Sequence, residues 1–333
     1  MTGWPVYQGT GEPHPWELPA PPRWRMFASE PSLDPPVGPG EAAERRLGAL
    51  ARAVTYQASD EEVELVNASL YLRRPLLITG KPGTGKSTLA YNVAMELSLG
   101  PVLRWPVTSR STRQEGLYLY DALARLQDAN LLARESGGRP APDIGRYIRL
   151  GPLGTALLPY RRPRVLLIDE LDKSDIDLPN DLLTIFEEGE YEIPELSRLA
   201  SEQPRAHVLT HDGTWMVPID EGTVTCAEFP LVIITSNGER EFPPAFKRRC
   251  LQLELQIPGR DRLEAIVRAH LGDDGMEQGG SLIDLFMSRR SGGDLATDQL
   301  LNAIFLAFHE EWAGDKERLT RSVLQYLTSV DGQ

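Results

Sequence analysis

Residues 76–87 read Leu-Leu-Ile-Thr-Gly-Lys-Pro-Gly-Thr-Gly-Lys-Ser, an apolar strand that runs straight into a glycine-rich turn closed by Lys86 and Ser87. No other segment restricts the possible folds as tightly. Glycines in such a turn reach positive φ and let the backbone approach a ligand closely. The N–H groups that follow, at the start of a helix, present a positive end to an anion. Lys86 then supplies a point charge for β- and γ-phosphates, and Ser87 a hydroxyl for Mg²⁺. The context the motif demands is present: a strand before it and, after it, a helix over residues 88–97 with Leu89, Val93 and Leu97 on one face. Gly80, Pro82, Gly83, Thr84, Gly85, Lys86, Ser87 and Thr88 are the candidate phosphate-binding residues.

Residues 164–170, Arg-Val-Leu-Leu-Ile-Asp-Glu, form a second apolar strand tipped by two carboxylates. Buried parallel strands read as continuous apolar runs rather than alternating ones. Asp169 in this place would hold Mg²⁺ through its water shell, and Glu170 would polarise an attacking water. An isolated acidic pair is usually a solvated turn, but behind a phosphate loop and on a buried strand the catalytic reading is the stronger. The adjacent acid also separates the chain from small-molecule kinases, whose acceptor hydroxyl takes the place of water. Residues 171–175 lack the Asn-Lys-x-Asp box that reads guanine, so ATP is preferred to GTP. Residues 231–237 repeat the layout, and Asn237 at that tip is the amide expected to orient the water beside the γ-phosphate. Runs at 102–107 and 251–257 complete five expected strands.

Between the third-named strand and the last lies Phe-Pro-Pro-Ala-Phe-Lys-Arg-Arg, residues 242–249. A basic cluster at a helix end favours the helix dipole, which is the plain account. The sharper account is an arginine finger offered to a neighbour's ATP, an effect of roughly 10³–10⁵ in rate where measured. A finger given in trans needs a head-to-tail interface, and such interfaces close into rings.

Residues 1–40 are rich in proline and aromatics, which disfavours regular structure; yet true disorder is poor in tryptophan. An extended arm lying on its own domain or on a neighbour is expected, with Trp16 and Trp24 as anchors, and a flexible leader is the alternative. Helical spacing follows at Leu47, Leu50, Ala51 and Val54 and at Val63, Val66 and Leu70. Beyond Pro258 the spacing is helical throughout, through Leu263, Val267, Leu282, Leu300 and Ile304 to Leu319, Val323, Leu324 and Leu327. The division expected is an arm at 1–40, an α/β core at 41–257 and an all-helical lid at 258–333. The formal charge of -13 opposes non-specific binding to nucleic acid. Two cysteines, Cys226 and Cys250, in unrelated contexts read as core thiols of a cytoplasmic protein. No signal-peptide pattern and no run of ~20 apolar residues occurs, so no membrane partner is expected.

The loop at 80–87, Asp169 with Glu170, Asn237 and the run at 242–249 together resemble AAA+ ATPases, and among them the MoxR-like branch. The resemblance covers residue 41 to the C-terminus. It implies a three-layer αβα P-loop core with a parallel sheet followed by a small all-α lid, Mg²⁺-dependent ATP hydrolysis and a homo-oligomeric, hexameric ring. It also implies a protein client, in the family often served together with a von Willebrand A domain protein. The finger falls on Arg249 because the family's motif ends with an arginine before the next strand; Arg248 is the alternative. A hairpin insert is expected at residues 144–153, and a second hairpin where residues 207–209 meet 215–217 across Asp212 and Gly213. One departure stands out: the second-sensor arginine expected early in a lid helix is missing from residues 292–299, with Arg289 and Arg290 just upstream. Two other readings compete, a McrB-like nucleic-acid motor and a nucleotide-switched scaffold with little turnover.

Overall fold

A computed structural model of the protein describes residues 5–36, 53–135, 143–213, 215–290 and 297–308. The expected stripes at 47–51 and 319–327, and residues 292–296 of the second-sensor region, lie outside these, as do the side chains of Arg289 and Arg290.

In chain order the elements are α1 (Asp60–Leu72), β1 (Leu76–Gly80), α2 (Lys86–Glu96), β2 (Leu103–Pro106), α3 (Arg113–Leu117), β3 (Tyr118–Tyr120) and α4 (Ala122–Glu135). Then come β4 (Ile148–Leu150), α5 (Pro152–Ala156), β5 (Val165–Asp169), α6 (Leu178–Glu188), β6 (Glu190–Glu192) and α7 (Pro194–Ser197). The chain continues with β7 (Arg205–Leu209), β8 (Met216–Asp220), β9 (Thr223–Thr225), β10 (Leu231–Ser236), α8 (Pro244–Lys247), β11 (Leu251–Leu255), α9 (Arg260–Arg290) and α10 (Thr297–Phe308).

Five strands form one sheet in the order β11-β1-β10-β5-β2, every pairing parallel. Side chains alternate faces along a strand, so Leu76, Ile78, Val165, Leu167, Leu231 and Ile233 enter one core, and Leu77, Leu166, Ile168, Val232 and Ile234 the other. Both faces are therefore dry, and helix α2 covers the first with Leu89, Val93 and Leu97. This is the three-layer α/β architecture, and its strands all point their C-terminal ends at one edge, where ligands bind in open parallel sheets.

A second sheet, β3-β4-β7-β8-β9-β6, stands beside the first. The hairpin expected across Asp212 and Gly213 is β7–β8, with Leu209 opposite Met216. Its turn is docked on the core: Arg164, fully buried at the foot of β5, donates to Asp212 at 2.9 Å and to Tyr160 at 3.2 Å. The insert expected at 144–153 differs from a tight hairpin. A 3-10 turn (Ile144–Tyr147) leads into β4, whose antiparallel partner is β3, with α4 carried between them. Residues 152–156 are helix α5, packed in the core.

The arm lies on its own chain. Val6 and Tyr7 donate their N–H groups to Asn67 at 2.7 and 2.9 Å, and buried Glu96 accepts from the N–H of Gln8 and Gly11 at 2.5 and 2.7 Å. The Trp16 indole donates to Leu97 O at 2.8 Å. Trp24, expected as an anchor, is 78% exposed, whereas neighbouring Arg25 is buried. The reason is an acceptor pocket that only the fold assembles: Arg25 donates to Arg73 O at 2.5 Å, Phe186 O at 2.8 Å and Glu187 O at 3.3 Å. The segment ends by pairing Leu33 with Tyr160. Arg73, Leu97 and Tyr160 all precede strands, so the arm belts the sheet at the edge opposite the phosphate loop.

The C-terminal helices pack on each other through Leu263, Val267, Ile283, Phe286, Leu300, Ala303 and Ile304. Helix α9 breaks at Gly272 (φ 74), which lets its halves fold against α10.

Candidate active site

The phosphate loop requires its glycines. At Gly80 (φ +151) a Cβ would meet Leu255 O at 2.7 Å, and at Gly85 (φ +94) it would meet the Tyr56 ring at 3.0 Å. Gly85 opens α2 without a side-chain cap, which leaves the first-turn N–H groups aimed into the loop. Lys86, 7% exposed, lays its ammonium against Gly80 O at 2.6 Å and Lys81 O at 2.8 Å. Burial draws that ammonium below the ordinary lysine value, against the upward pull of Asp172, Glu170 and Asp169.

Three strand tips converge on this loop. Asp169, at the end of β5, accepts from Ser87 Oγ at 2.8 Å and from Thr235 Oγ1 at 2.8 Å, both on Oδ1. Its Oδ2 is clasped by Arg104 of β2, with Nε at 3.0 Å and a terminal nitrogen at 2.5 Å. Burial alone would raise the Asp169 pKa; the donors Arg104, Ser87 and Thr235 outweigh it and hold the group below the usual carboxylate range. Glu170 follows in the left-handed region (φ 61), a conformation that costs a non-glycine residue energy and recurs at functional sites. Its N–H is pinned by Thr235 Oγ1 at 2.9 Å. Its carboxylate takes the Asn237 amide at 3.3 Å on Oε1 and the Lys173 ammonium at 2.8 Å on Oε2.

Asn237 is itself positioned by buried Asp172, whose Oδ2 accepts the N–H groups of Asn237 at 2.9 Å and Glu239 at 3.1 Å. The fold thus brings together Lys86, Ser87, Asp169, Glu170 and Asn237. Arg249 is not among them. It lies past α8, half-buried, with Nε on Glu187 at 2.6 Å and a terminal nitrogen on Ala245 O at 3.3 Å. Arg248 beside it is exposed. Sequence reasoning missed Arg104, Asp172 and Thr235. Only their position one strand or one turn from the tips of β5 and β10 could have flagged them.

The residues present fit a magnesium–triphosphate. Ser87 Oγ and Asp169 Oδ1, two hard oxygen donors, face each other at 2.8 Å beside the phosphate loop, the donor chemistry that Mg²⁺ takes, directly or through its waters. The uncapped helix start and the glycine cradle fit the phosphates.

A parallel sheet with a phosphate loop after β1 and an acidic pair at the tip of β5 defines a P-loop nucleoside-triphosphate-binding protein. Residues 75–250, more than half of the 333, match the family described as AAA domain (dynein-related subfamily), and the chain belongs to that family. Membership makes it a nucleotide-binding AAA+ ATPase. No curated protein matches the chain. Among the described residues no helix is long and apolar enough to cross a membrane.

Proposed function

We propose that this chain is a Mg²⁺-dependent ATPase of MoxR-like type that works as a hexameric ring and remodels or activates a protein partner. The observation that carries the reading is the Glu170 carboxylate held at 3.3 Å from the Asn237 amide, next to an Asp169–Ser87 oxygen pair. Lys86 and the loop N–H groups would bind the triphosphate, and Ser87 and Asp169 would hold the metal. Bound magnesium would neutralise charge on the β- and γ-phosphate oxygens. Glu170 takes a proton from the attacking water, Asn237 keeps that water in line, and Lys173 holds the other Glu170 oxygen in place. Rate comes from positioning and charge stabilisation, with no covalent intermediate.

Arg249 completes the site of the adjoining protomer in this reading, and its bonds to Glu187 and Ala245 O rather than to its own chain's cluster agree with a role in trans. For the client, α4 offers an apolar face: Leu123, Leu126 and Leu131 are exposed, as is Leu119 before it. A von Willebrand A domain protein is the expected co-worker, and the buried free thiols Cys226 and Cys250 suit a reduced cytoplasm.

Mixing variants tests the ring. Lys86→Ala subunits keep their finger, and Arg249→Ala subunits keep their loop, so each preparation alone should release little phosphate. A mixture should recover activity at interfaces that combine the intact loop of one with the intact arginine of the other. A mixture no more active than its two components would overturn both the finger and the ring.

A further inference from the structure

The helical lid is tied to the core beside the phosphate loop by an ion pair whose carboxylate is buried. Glu62 of α1 is 1% exposed, and both its oxygens are used. Oε1 accepts from Arg262, in the first turn of α9, at 2.9 Å, and Oε2 accepts from the Tyr56 hydroxyl at 2.7 Å. Arg262 also donates to Gln57 O at 2.9 Å and stands 5.7 Å from the centre of the Tyr56 ring. The edge of that ring meets the phosphate loop, where it fills the space a Cβ on Gly85 would need. A second lid contact reaches the same segment: His270 Nδ1 donates to Ile266 O at 2.8 Å, and its Nε2 shares a hydrogen bond with Thr55 Oγ1 at 3.1 Å.

We propose that Arg262 is the positioning residue through which the phosphate loop and the lid sense each other, the chain of contact running Gly85, Tyr56, Glu62, Arg262. A buried carboxylate stripped of its counter-charge is strongly unfavourable, so the lid cannot leave α1 unless the Tyr56–Glu62 pair shifts with it. Close packing gives the Tyr56 ring no room to follow Gly85 without moving Glu62. The ion pair and its broken form are the two discrete arrangements that a coupling element needs. This inference rests on the ATP reading above, and it supplies a route for lid coupling that does not call on an arginine in residues 292–299.

Hydrogen exchange of the full chain over residues 260–270, with and without ADP or ATP, tests it, alongside binding of a fluorescent ATP analogue. Arg262→Met is expected to exchange at least roughly tenfold faster without nucleotide, since local opening costs less once its charged contacts are gone. It should also lose the nucleotide-dependent change seen in wild type while still binding the analogue. Arg262→Lys should restore part of that change, which a purely structural loss would not allow. Glu62→Gln should behave as Arg262→Met does. If Arg262→Met keeps the wild-type response, the linkage is wrong. If wild type binds nucleotide with no change at 260–270, the linkage is wrong and the ATP reading stands. If wild type binds no nucleotide, both fall.

Discussion

Thr235→Val changes one atom's chemistry at the point where two strands meet the reaction. Thr235 is 1% exposed; its hydroxyl donates to Asp169 Oδ1 at 2.8 Å and accepts the Glu170 N–H at 2.9 Å. Valine keeps the shape and removes both bonds. Loss of a hydrogen bond to a charged group costs about 1.5–3 kcal/mol, and an orphaned buried N–H about 1–3 kcal/mol. The sum before relaxation is therefore ~2.5–6 kcal/mol, a large share of the ~5–15 kcal/mol that holds a domain folded. Thr235→Ser retains the hydroxyl and gives up one methyl, about 1 kcal/mol. Urea unfolding should rank the proteins wild type, Ser, Val, with Val at least about 1 kcal/mol below Ser. Catalysis should separate them further, because the Glu170 N–H bond holds a left-handed backbone in place. Phosphate release by the valine variant should fall roughly 10–100-fold, about 1.4–2.8 kcal/mol in barrier, with little change in the KM for ATP. Equal unfolding midpoints and equal kcat for the valine and serine variants would refute the reasoning.

Gly85→Ala places a side chain at φ +94 and against the Tyr56 ring; strain of about 1–2 kcal/mol and a displaced loop should weaken ATP analogue binding by about tenfold in a titration. Asn67→Ala removes the acceptor of the Val6 and Tyr7 N–H groups and the donor to Tyr7 O, so brief trypsin treatment should cut the arm at Arg23 or Arg25 faster than in wild type; equal cleavage would show that Asn67 does not hold it. Burial pushes both thiols up to about 12 from an ordinary 9.0. With folded values above unfolded ones, the unfolded chain sheds those protons first. Stability should therefore be unaffected by the thiols below about pH 9 and fall from pH 9 towards 12 by up to ~1.4 kcal/mol per thiol per unit. A thiol reagent at neutral pH should find neither cysteine in the native protein and both in urea.

The parallel sheet was legible because its strands are buried on both faces. Apolar runs at 76–79, 165–168 and 231–235 carry no alternation that could suggest another fold, and each leads into candidate site residues. Helix α2 was legible from Leu89, Val93 and Leu97. What escaped depends on contacts far apart in sequence. Arg104 reaches Asp169 across 65 positions, and Arg262 reaches Glu62 across 200. Trp24 misled because a tryptophan's area predicts burial in general, while here three backbone carbonyls reserve the pocket for Arg25. The insert at 144–153 misled because antiparallel pairing of β3 and β4 is closed by a helix rather than by a turn, and no turn residue marks such a closure.

Glu170→Gln is the most direct measure of the central claim. The amide keeps the shape and can still meet Asn237, yet it cannot take a proton from water. Phosphate release from Mg²⁺–ATP should be robust in wild type and drop by at least roughly 10²-fold in the variant, while the variant binds an ATP analogue about as well as wild type. Wild-type release by Glu170→Gln would contradict the account.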